Sequence, residues 1–199
     1  FREDLHVRDL KYNTESPIYV GLDFGFRRPA AIFTQIDTED RWIILREYMP
    51  ENITVHEFAK EILKIQNTNF PLCKEYIYFG DPAGRQASDK SEKTSCDIMR
   101  ENGINVYSRK SSPVARIEII QKRLATLHGA SPSLLLNRQD NLFIIDAMAG
   151  GYHYMDIAHK EEPEKDGLYE HVVDALGYCA VGLFSQQNAK TIRNDGKPR

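Results

Sequence analysis

The amino-acid sequence predicts an α/β fold with a mixed sheet, in which three antiparallel strands are followed by parallel strands and the whole is flanked by helices. Two observations favour this class. Three strand-like runs separated by turn residues come first, and further along the chain short apolar runs alternate with helical patterns. Alternating strands and helices form crossover connections, which place strands in parallel. At 199 residues the chain is long enough for one sizeable core.

The first three strands are predicted at residues 18–24, 30–36 and 42–49. Arg28-Pro29 separates the first two strands, and the polar run 37–40 separates the second from the third. Short connections of this kind join antiparallel neighbours, so an antiparallel meander is expected.

Helix starts are indicated at two places in the rest of the chain. Thr54 and Glu57 form a capping box before an apolar stripe at helical spacing. Ser112-Pro113 is suited to the cap and first turn of a long helix, which is expected to reach about residue 128. The other predicted elements are strands at 76–79, 104–107 and 134–136, and helices at 95–101, 140–149 and 169–184.

This order of elements has a consequence for two acidic residues. Under the right-handed crossover rule, the first and fourth strands can lie side by side and parallel. Asp23 belongs to the first strand and Asp81 follows the fourth. The two carboxylates are therefore expected on neighbouring strands.

The two ends of the chain are predicted to be tethers. Residues 1–16 are interpreted as a linker and residues 186–199 as a flexible tail, because neither shows a sustained apolar period. The folded domain is expected at 17–185. Phe1 is not a natural initiator, which favours a fragment of a longer protein.

Composition excludes several classes of function. No apolar run is long enough to span a bilayer, and the beginning of the chain lacks a secretory pattern. Cys73, Cys96 and Cys179 form no CxxC pair, so neither a zinc site nor a disulfide framework is indicated and a reducing cytosol is expected. The net charge of -3 is unlike that of a typical nucleic-acid-binding domain, unless the basic residues gather on one face.

Asp23 and Asp81 can each be interpreted in two ways. Asp23 lies in an otherwise apolar strand, where an unpaired carboxylate is costly, although a strand-end Asp can also simply make a turn. Asp81 is followed by Pro82, a frequent turn sequence. Its position at the carboxyl end of a strand favours a functional role, because ligand sites in open α/β sheets gather there.

Asp174 and His171 are the third feature. They are three residues apart and share one face of the last predicted helix. The residues after Asp174 are mostly apolar, which favours burial over a solvated polar face. Small residues, Ala175 and Gly177, are expected to let this helix approach the sheet closely.

Carboxylates on two central strands and one helix suit hard divalent ions, Mg²⁺ or Mn²⁺. Two such ions about 4 Å apart can activate a water and stabilise a leaving oxygen in phosphodiester hydrolysis. In this interpretation Asp23 bridges both ions, while Asp81 and Asp174 hold one each. His171 either assists the second ion or shuttles a proton, or it is a satisfied histidine beside the site; both interpretations stay open.

Three ordered motifs resemble the nuclease domain of terminase large subunits from tailed phages. The matching segments are Gly21-Leu-Asp-Phe-Gly25, Gly80-Asp-Pro-Ala-Gly84 and His171-Val-Val-Asp-Ala-Leu-Gly-Tyr178, and residues 141–154 are also similar. The resemblance covers roughly residues 17 to 185. One departure is Gly177, where the family often carries a basic residue, so DNA contact from that position is not expected here.

The resemblance implies a ribonuclease-H-like fold and metal-dependent cutting of concatemeric viral DNA during packaging. It implies double-stranded DNA, an ATPase motor domain, the small terminase subunit and the portal as partners, in the host cell cytoplasm. The chain has no phosphate-binding P-loop sequence, so the motor would lie outside it. DNA contacts are expected from basic residues near the strand ends and the long helix: Arg27, Arg85, Arg109, Lys110 and Arg116.

Rival interpretations stay open at this point. A Holliday-junction resolvase, a transposase core or a ribonuclease H would share both the fold and the acidic cluster. An actin-like or sugar-kinase ATPase also places Asp and Gly after a strand, but it needs a second lobe and a small hydroxyl residue where Phe26-Arg27-Arg28 stands. A non-catalytic docking module would be favoured if the domain bound no metal.

Overall fold

The computed structural model describes residues 1–25, 27–85, 93–153 and 167–185. The strands within these ranges are β1 (Val7–Arg8), β2 (Ile18–Asp23), β3 (Ala30–Ile36), β4 (Trp42–Tyr48), β5 (Tyr76–Gly80), β6 (Val106–Ser108), β7 (Leu127–His128), β8 (Ser131–Pro132) and β9 (Leu134–Asn137). The helices are α1 (Glu3–His6), α2 (Val55–Asn69), α3 (Ser95–Glu101), α4 (Pro113–Ala125), α5 (Leu142–Asp146) and α6 (Tyr169–Phe184). A 3₁₀ turn (Pro82–Arg85) follows β5, and a π turn (Ala147–Gly151) follows α5.

Seven of these strands form one mixed sheet in the order β1-β9-β4-β3-β2-β5-β6. The pairs β2–β3 and β3–β4 are antiparallel, and β5 and β6 add in parallel beyond β2. The predicted fold class is therefore confirmed. Leu22 on β2 is in register with Gly80 on β5, so Asp23 and Asp81 follow neighbouring parallel strands as predicted.

Helices cover both faces of the sheet. On one face Val20, Phe33 and Leu45 contribute to a core with residues of α2 and α3. On the other face Ile32 and Ile44 pack with residues of α4, α5 and α6. Successive strand residues point to opposite faces. Because both faces are covered, the central strands are buried almost throughout.

Local sequence signals explain the helix starts. Thr54 accepts from the Glu57 N–H (3.2 Å), and the Glu57 carboxylate accepts from the Thr54 N–H (2.8 Å), which completes the predicted capping box. Ser112 caps α4 by accepting from the Ala115 N–H, with proline in the first turn. Each cap contributes about 1 kcal/mol.

Helix α6 lies directly on β2 because glycine leaves room for it. A Cβ at Gly21 would lie 2.0 Å from the Ala175 carbonyl oxygen and 2.8 Å from the Cys179 Cβ. Gly21 on β2 thus permits the close approach of α6 that was predicted. Gly177 serves a different contact, since a Cβ there would meet the Arg116 side chain of α4 rather than the sheet.

The chain start differs from the expected linker. Residues 3–8 form α1 and β1, and the fully buried Val7 pairs in parallel with Leu136 of β9. A two-residue strand has no periodicity by which its sequence could have been recognised. The predicted tail at 186–199 lies outside the described residues.

Two helix predictions also require correction. The long helix ends at Ala125 rather than near residue 128, because β7 and β8 follow as a short hairpin. The predicted helix at 140–149 is a five-residue helix continued by a π turn, with Gly150 at a φ of 133°. Asp140, the first residue of the predicted range, pairs with Arg46 at 2.7 Å. In the part of the chain that the structure describes, none of the helices is long and apolar enough to cross a membrane.

Candidate active site

Asp23 is the most buried acidic group of the site. It ends β2 with only 8% of its surface exposed, and its Oδ2 lies 2.8 Å from the His171 Nδ1. Gly25 makes room for this contact, since a Cβ there would lie 2.8 Å from the same Nδ1 atom. In the sequence Gly25 is only part of a motif, and its steric role becomes visible once α6 is in place.

Asp81 follows β5 directly and lies at the same edge of the sheet. Its N–H donates to the Leu22 carbonyl (3.2 Å), which continues the pairing with β2 for one more residue. Its Oδ1 accepts from the Ala83 N–H (2.9 Å). Asp81 therefore does make a turn, and the turn also holds the carboxylate beside the end of β2.

Helix α6 brings Asp174 and His171 to the same place, one helical turn apart. The Asp174 Oδ1 accepts from the Arg116 Nη2 of α4 at 2.7 Å. The Arg116 side chain is 8% exposed and the Asp174 side chain 30%. The structure thus brings the four predicted catalytic residues, Asp23, Asp81, His171 and Asp174, to one edge of the sheet.

The site is electrostatically coupled. Burial raises the pKa of Asp23, the hydrogen bond from His171 lowers it, and Asp174 and Asp81 raise it again, with a net upward direction. The hydrogen bond to Asp23 raises the pKa of His171 against the effect of burial. Burial opposes the charge on Arg116, but Asp174 outweighs it, so the pKa of the guanidinium is raised. Two of the three carboxylates therefore hold a basic side chain.

The donor set fits a hard divalent cation, because such ions prefer carboxylate oxygens and positive charge would offset the raised pKa of the buried Asp23. Asp23, Asp81 and Asp174 supply the oxygen ligands. In the described ranges, no three His, Cys, Asp or Glu side chains converge closely enough to hold an ion together. Asp174 is turned to Arg116 instead.

A surface cleft of about 600 Å³ lies beside Asp81. The start of α4 forms one wall, and a side chain of α6 another. The lining residues are Asp81, Pro82, Lys110, Ser111, Ser112, Pro113, Arg116 and Tyr178. The cleft combines basic side chains and hydroxyls, which are groups that bind phosphate oxygens.

The five basic residues predicted to contact DNA occupy different environments. Arg27 and Arg85 are exposed, and Arg85 donates to the Val106 carbonyl. Arg109 donates to the Ser185 hydroxyl. Lys110 is exposed at the cleft, whereas Arg116 is buried against Asp174. Two of the five, Lys110 and Arg116, therefore line the cleft beside the carboxylates.

The mixed sheet with helices on both faces is a ribonuclease-H-like α/β fold. No protein-family profile and no curated protein sequence matches the chain. Solved structures do match its fold. The large terminase of a thermophilic bacteriophage, in complex with ADP, is 19% identical, with a TM-score of 0.71 over 92% of this chain and 43% of that chain. This chain thus spans less than half of that protein.

Two isolated nuclease domains are similar over nearly their full lengths. The nuclease domain of the bacteriophage SPP1 large terminase, solved with bound Mn, is 16% identical, with a TM-score of 0.61 over 89% of this chain and 95% of that chain. The large terminase nuclease of the thermophilic phage G20c is 15% identical, with a TM-score of 0.57 over 91% of this chain and 92% of that chain. The chain has the fold of large-terminase nuclease domains.

Proposed function

We propose that this chain is the metal-dependent endonuclease domain of a viral DNA-packaging terminase large subunit. The observation that carries this proposal is the position of Asp23 at the end of β2, Asp81 directly after β5 and Asp174 on α6, in a chain with the fold of terminase nuclease domains. The substrate would be concatemeric double-stranded DNA, cut during packaging.

The proposed chemistry assigns a task to each group. Asp23, Asp81 and Asp174 would hold Mg²⁺ or Mn²⁺. Ions held there would supply an activated water and stabilise the leaving 3′ oxygen. His171, hydrogen bonded to Asp23, would orient that carboxylate and accept or return a proton.

DNA would be held by basic side chains around the cleft. Lys110 and Arg116 line the cleft itself, and Arg27, Arg85 and Arg109 are proposed as further phosphate contacts. Such contacts position a duplex without reading its sequence. An ATPase motor domain outside this chain is proposed as a partner. The small terminase subunit and the portal, in the host cell cytoplasm, complete the proposed setting.

A plasmid assay tests the proposal. Supercoiled plasmid is incubated with the wild-type domain, the Asp81→Ala variant and the Asp9→Ala variant, in EDTA, Mg²⁺ or Mn²⁺. Asp9 is an exposed aspartate near the start of the chain, so its variant is the matched control. We expect nicking and linearisation that need metal, persist in Asp9→Ala and disappear in Asp81→Ala.

Other outcomes separate the rivals. Cleavage that survives Asp81→Ala contradicts the assigned carboxylates. Preference for four-way junctions would favour a resolvase, and preference for an RNA–DNA hybrid would favour a ribonuclease H. Absence of both cleavage and metal binding would favour a docking module.

A further inference from the structure

Arg116 occupies a place on α6 that a side chain at position 177 would otherwise fill. A Cβ at Gly177 would lie 2.8 Å from the Arg116 Cδ, 2.9 Å from its Cβ and 3.2 Å from its Nε. Glycine at this position therefore lets the whole arginine side chain cross the helix. Helix α4 thereby places the positive charge of Arg116 on α6, where Gly177 itself supplies no side chain.

The guanidinium is fixed from several sides. Nη2 donates to Asp174 at 2.7 Å, Nη1 donates to the Ser111 carbonyl at 3.2 Å, and the group lies 4.6 Å from the centre of the Tyr178 ring. A charge this deeply buried is costly unless it is paired. Its Nε has no hydrogen-bond partner among the described residues, although the side chain lines the cleft. Arg116 thus belongs to the acidic site itself, although the sequence predicted it only as a DNA contact.

We propose that Arg116 is the resident cation of Asp174, which neutralises this carboxylate before metal binds and must leave it when metal arrives. The inference rests on the proposed metal-dependent nuclease. Asp174 offers its Oδ1 to the guanidinium, so a divalent ion competes with Arg116 for the same carboxylate. The measured metal affinity then reflects how much more strongly Asp174 binds the divalent ion than it binds the Arg116 guanidinium.

The released guanidinium has a defined destination. Lys110, Ser111 and Ser112 line the cleft into which Arg116 already faces. A DNA phosphate in that cleft would accept from the guanidinium that the metal displaces. Metal and DNA would then assist each other's binding, because coupling between two ligands is reciprocal.

Mn²⁺ titration without DNA tests the exchange directly. The affinity is measured by calorimetry for the wild type and for Arg116→Met, which retains an aliphatic side chain over Gly177 but removes the charge. We expect Arg116→Met to bind Mn²⁺ roughly tenfold more tightly than the wild type. Gly177→Ala, which crowds Arg116 without removing it, is expected to shift the affinity in the same direction and by less.

Two controls accompany these variants. Arg116→Lys keeps a positive charge and is expected to remain closer to the wild type than Arg116→Met. Arg123→Met removes another arginine of α4, one that pairs with Asp40 at 3.1 Å and stacks on Phe184, and should leave Mn²⁺ affinity unchanged. Circular dichroism and thermal melting verify that each variant is folded.

The outcomes distinguish this inference from the proposed function. If the wild type binds Mn²⁺ and folded Arg116→Met binds no more tightly, the role of Arg116 is wrong while the nuclease proposal stands. If neither the wild type nor any folded variant binds Mn²⁺, the metal site is wrong and the inference fails with it. Tight binding that appears only after Arg116→Met would support the exchange.

Discussion

Two carboxylates of the central sheet, the buried Asp23 and the half-buried Glu47, differ in their hydrogen-bond partners. Burial raises the pKa of both, and that of Glu47 to about 7. Glu47, on β4, accepts from the backbone N–H groups of Phe143 (2.8 Å) and Ile144 (2.9 Å) at the start of α5. Asp23 instead lies next to a histidine and within the influence of two further carboxylates.

The difference shows that a carboxylate whose pKa is raised by burial is not by itself a sign of catalysis. Backbone N–H groups at the start of a helix can donate hydrogen bonds to a carboxylate, which then caps the helix, as Glu47 does. The hydrogen-bond partner of Asp23 within the described residues is the His171 side chain, and Asp81 and Asp174 add like charge to the carboxylate. Convergence of like charges in a partly buried place is what favours a cation site at Asp23 over Glu47.

The largest expected effect comes from a substitution that forces α6 away from β2, the strand that carries Asp23. In Gly21→Ala, the new Cβ would lie 2.0 Å from the Ala175 carbonyl oxygen, so α6 must move away from β2. We expect the free energy of unfolding to fall by about 3 kcal/mol or more, measured by urea denaturation.

Gly103→Ala is the comparison for that variant. Gly103 has a φ of 84°, and a Cβ added there would meet no atom within 4 Å, so its substitution tests backbone strain alone, at about 1 kcal/mol. A Gly21→Ala protein as stable as the Gly103→Ala protein would contradict the close approach of α6.

The next effect is the contribution of Glu47 to the pH dependence of stability. A carboxyl with a raised pKa binds more protons in the folded state than in the unfolded state, so stability falls as pH rises from about 4.5 to about 7. Between these two pH values the free energy of unfolding of the wild type should therefore fall by about 2 kcal/mol more than that of Glu47→Gln. Urea denaturation of both proteins across this range measures the difference.

Glu118→Gln, on α4 with an exposed side chain, provides the control and should follow the wild type at every pH. A Glu47→Gln variant whose stability changes with pH as steeply as that of the wild type would show that Glu47 is not the group responsible.

The smallest expected effect is a gain in stability at Asp23. Asp23→Asn removes a buried negative charge from beside Asp81 and Asp174 at nearly constant volume, at the cost of weakening the contact with His171. We expect the variant to be more stable by about 1 kcal/mol at pH 8 in EDTA. A variant that unfolds more easily than the wild type would mean that the Asp23–His171 contact outweighs the repulsion.

Local patterns predicted much of this fold. The capping box at Thr54, the turn residues between the first strands and the crossover rule were enough to place Asp23 beside Asp81. The short strand β1 was not predicted, because its two residues carry no period and its parallel pairing with β9 spans most of the chain.

The candidate site was predicted less completely than the sheet. Arg116 was expected to contact DNA, and its bond to Asp174 could not be inferred from sequence because it depends on how α4 crosses α6. The role of Gly177 was hidden for the same reason. A glycine in a helix shows that something approaches closely, and only the tertiary structure identifies the approaching group as Arg116.

The most direct test of the account compares Mn²⁺-dependent plasmid cleavage by Asp23→Asn and Glu47→Gln, with equal amounts of folded protein. Both changes replace a carboxylate of the central sheet, whose pKa is raised by burial, with its amide. We expect Asp23→Asn to lose cleavage by about a thousandfold or more, because a metal-bound carboxylate is removed, and Glu47→Gln to stay within about threefold of the wild type. Wild-type cleavage by Asp23→Asn, or equal losses in both variants, would contradict the assignment of the active site.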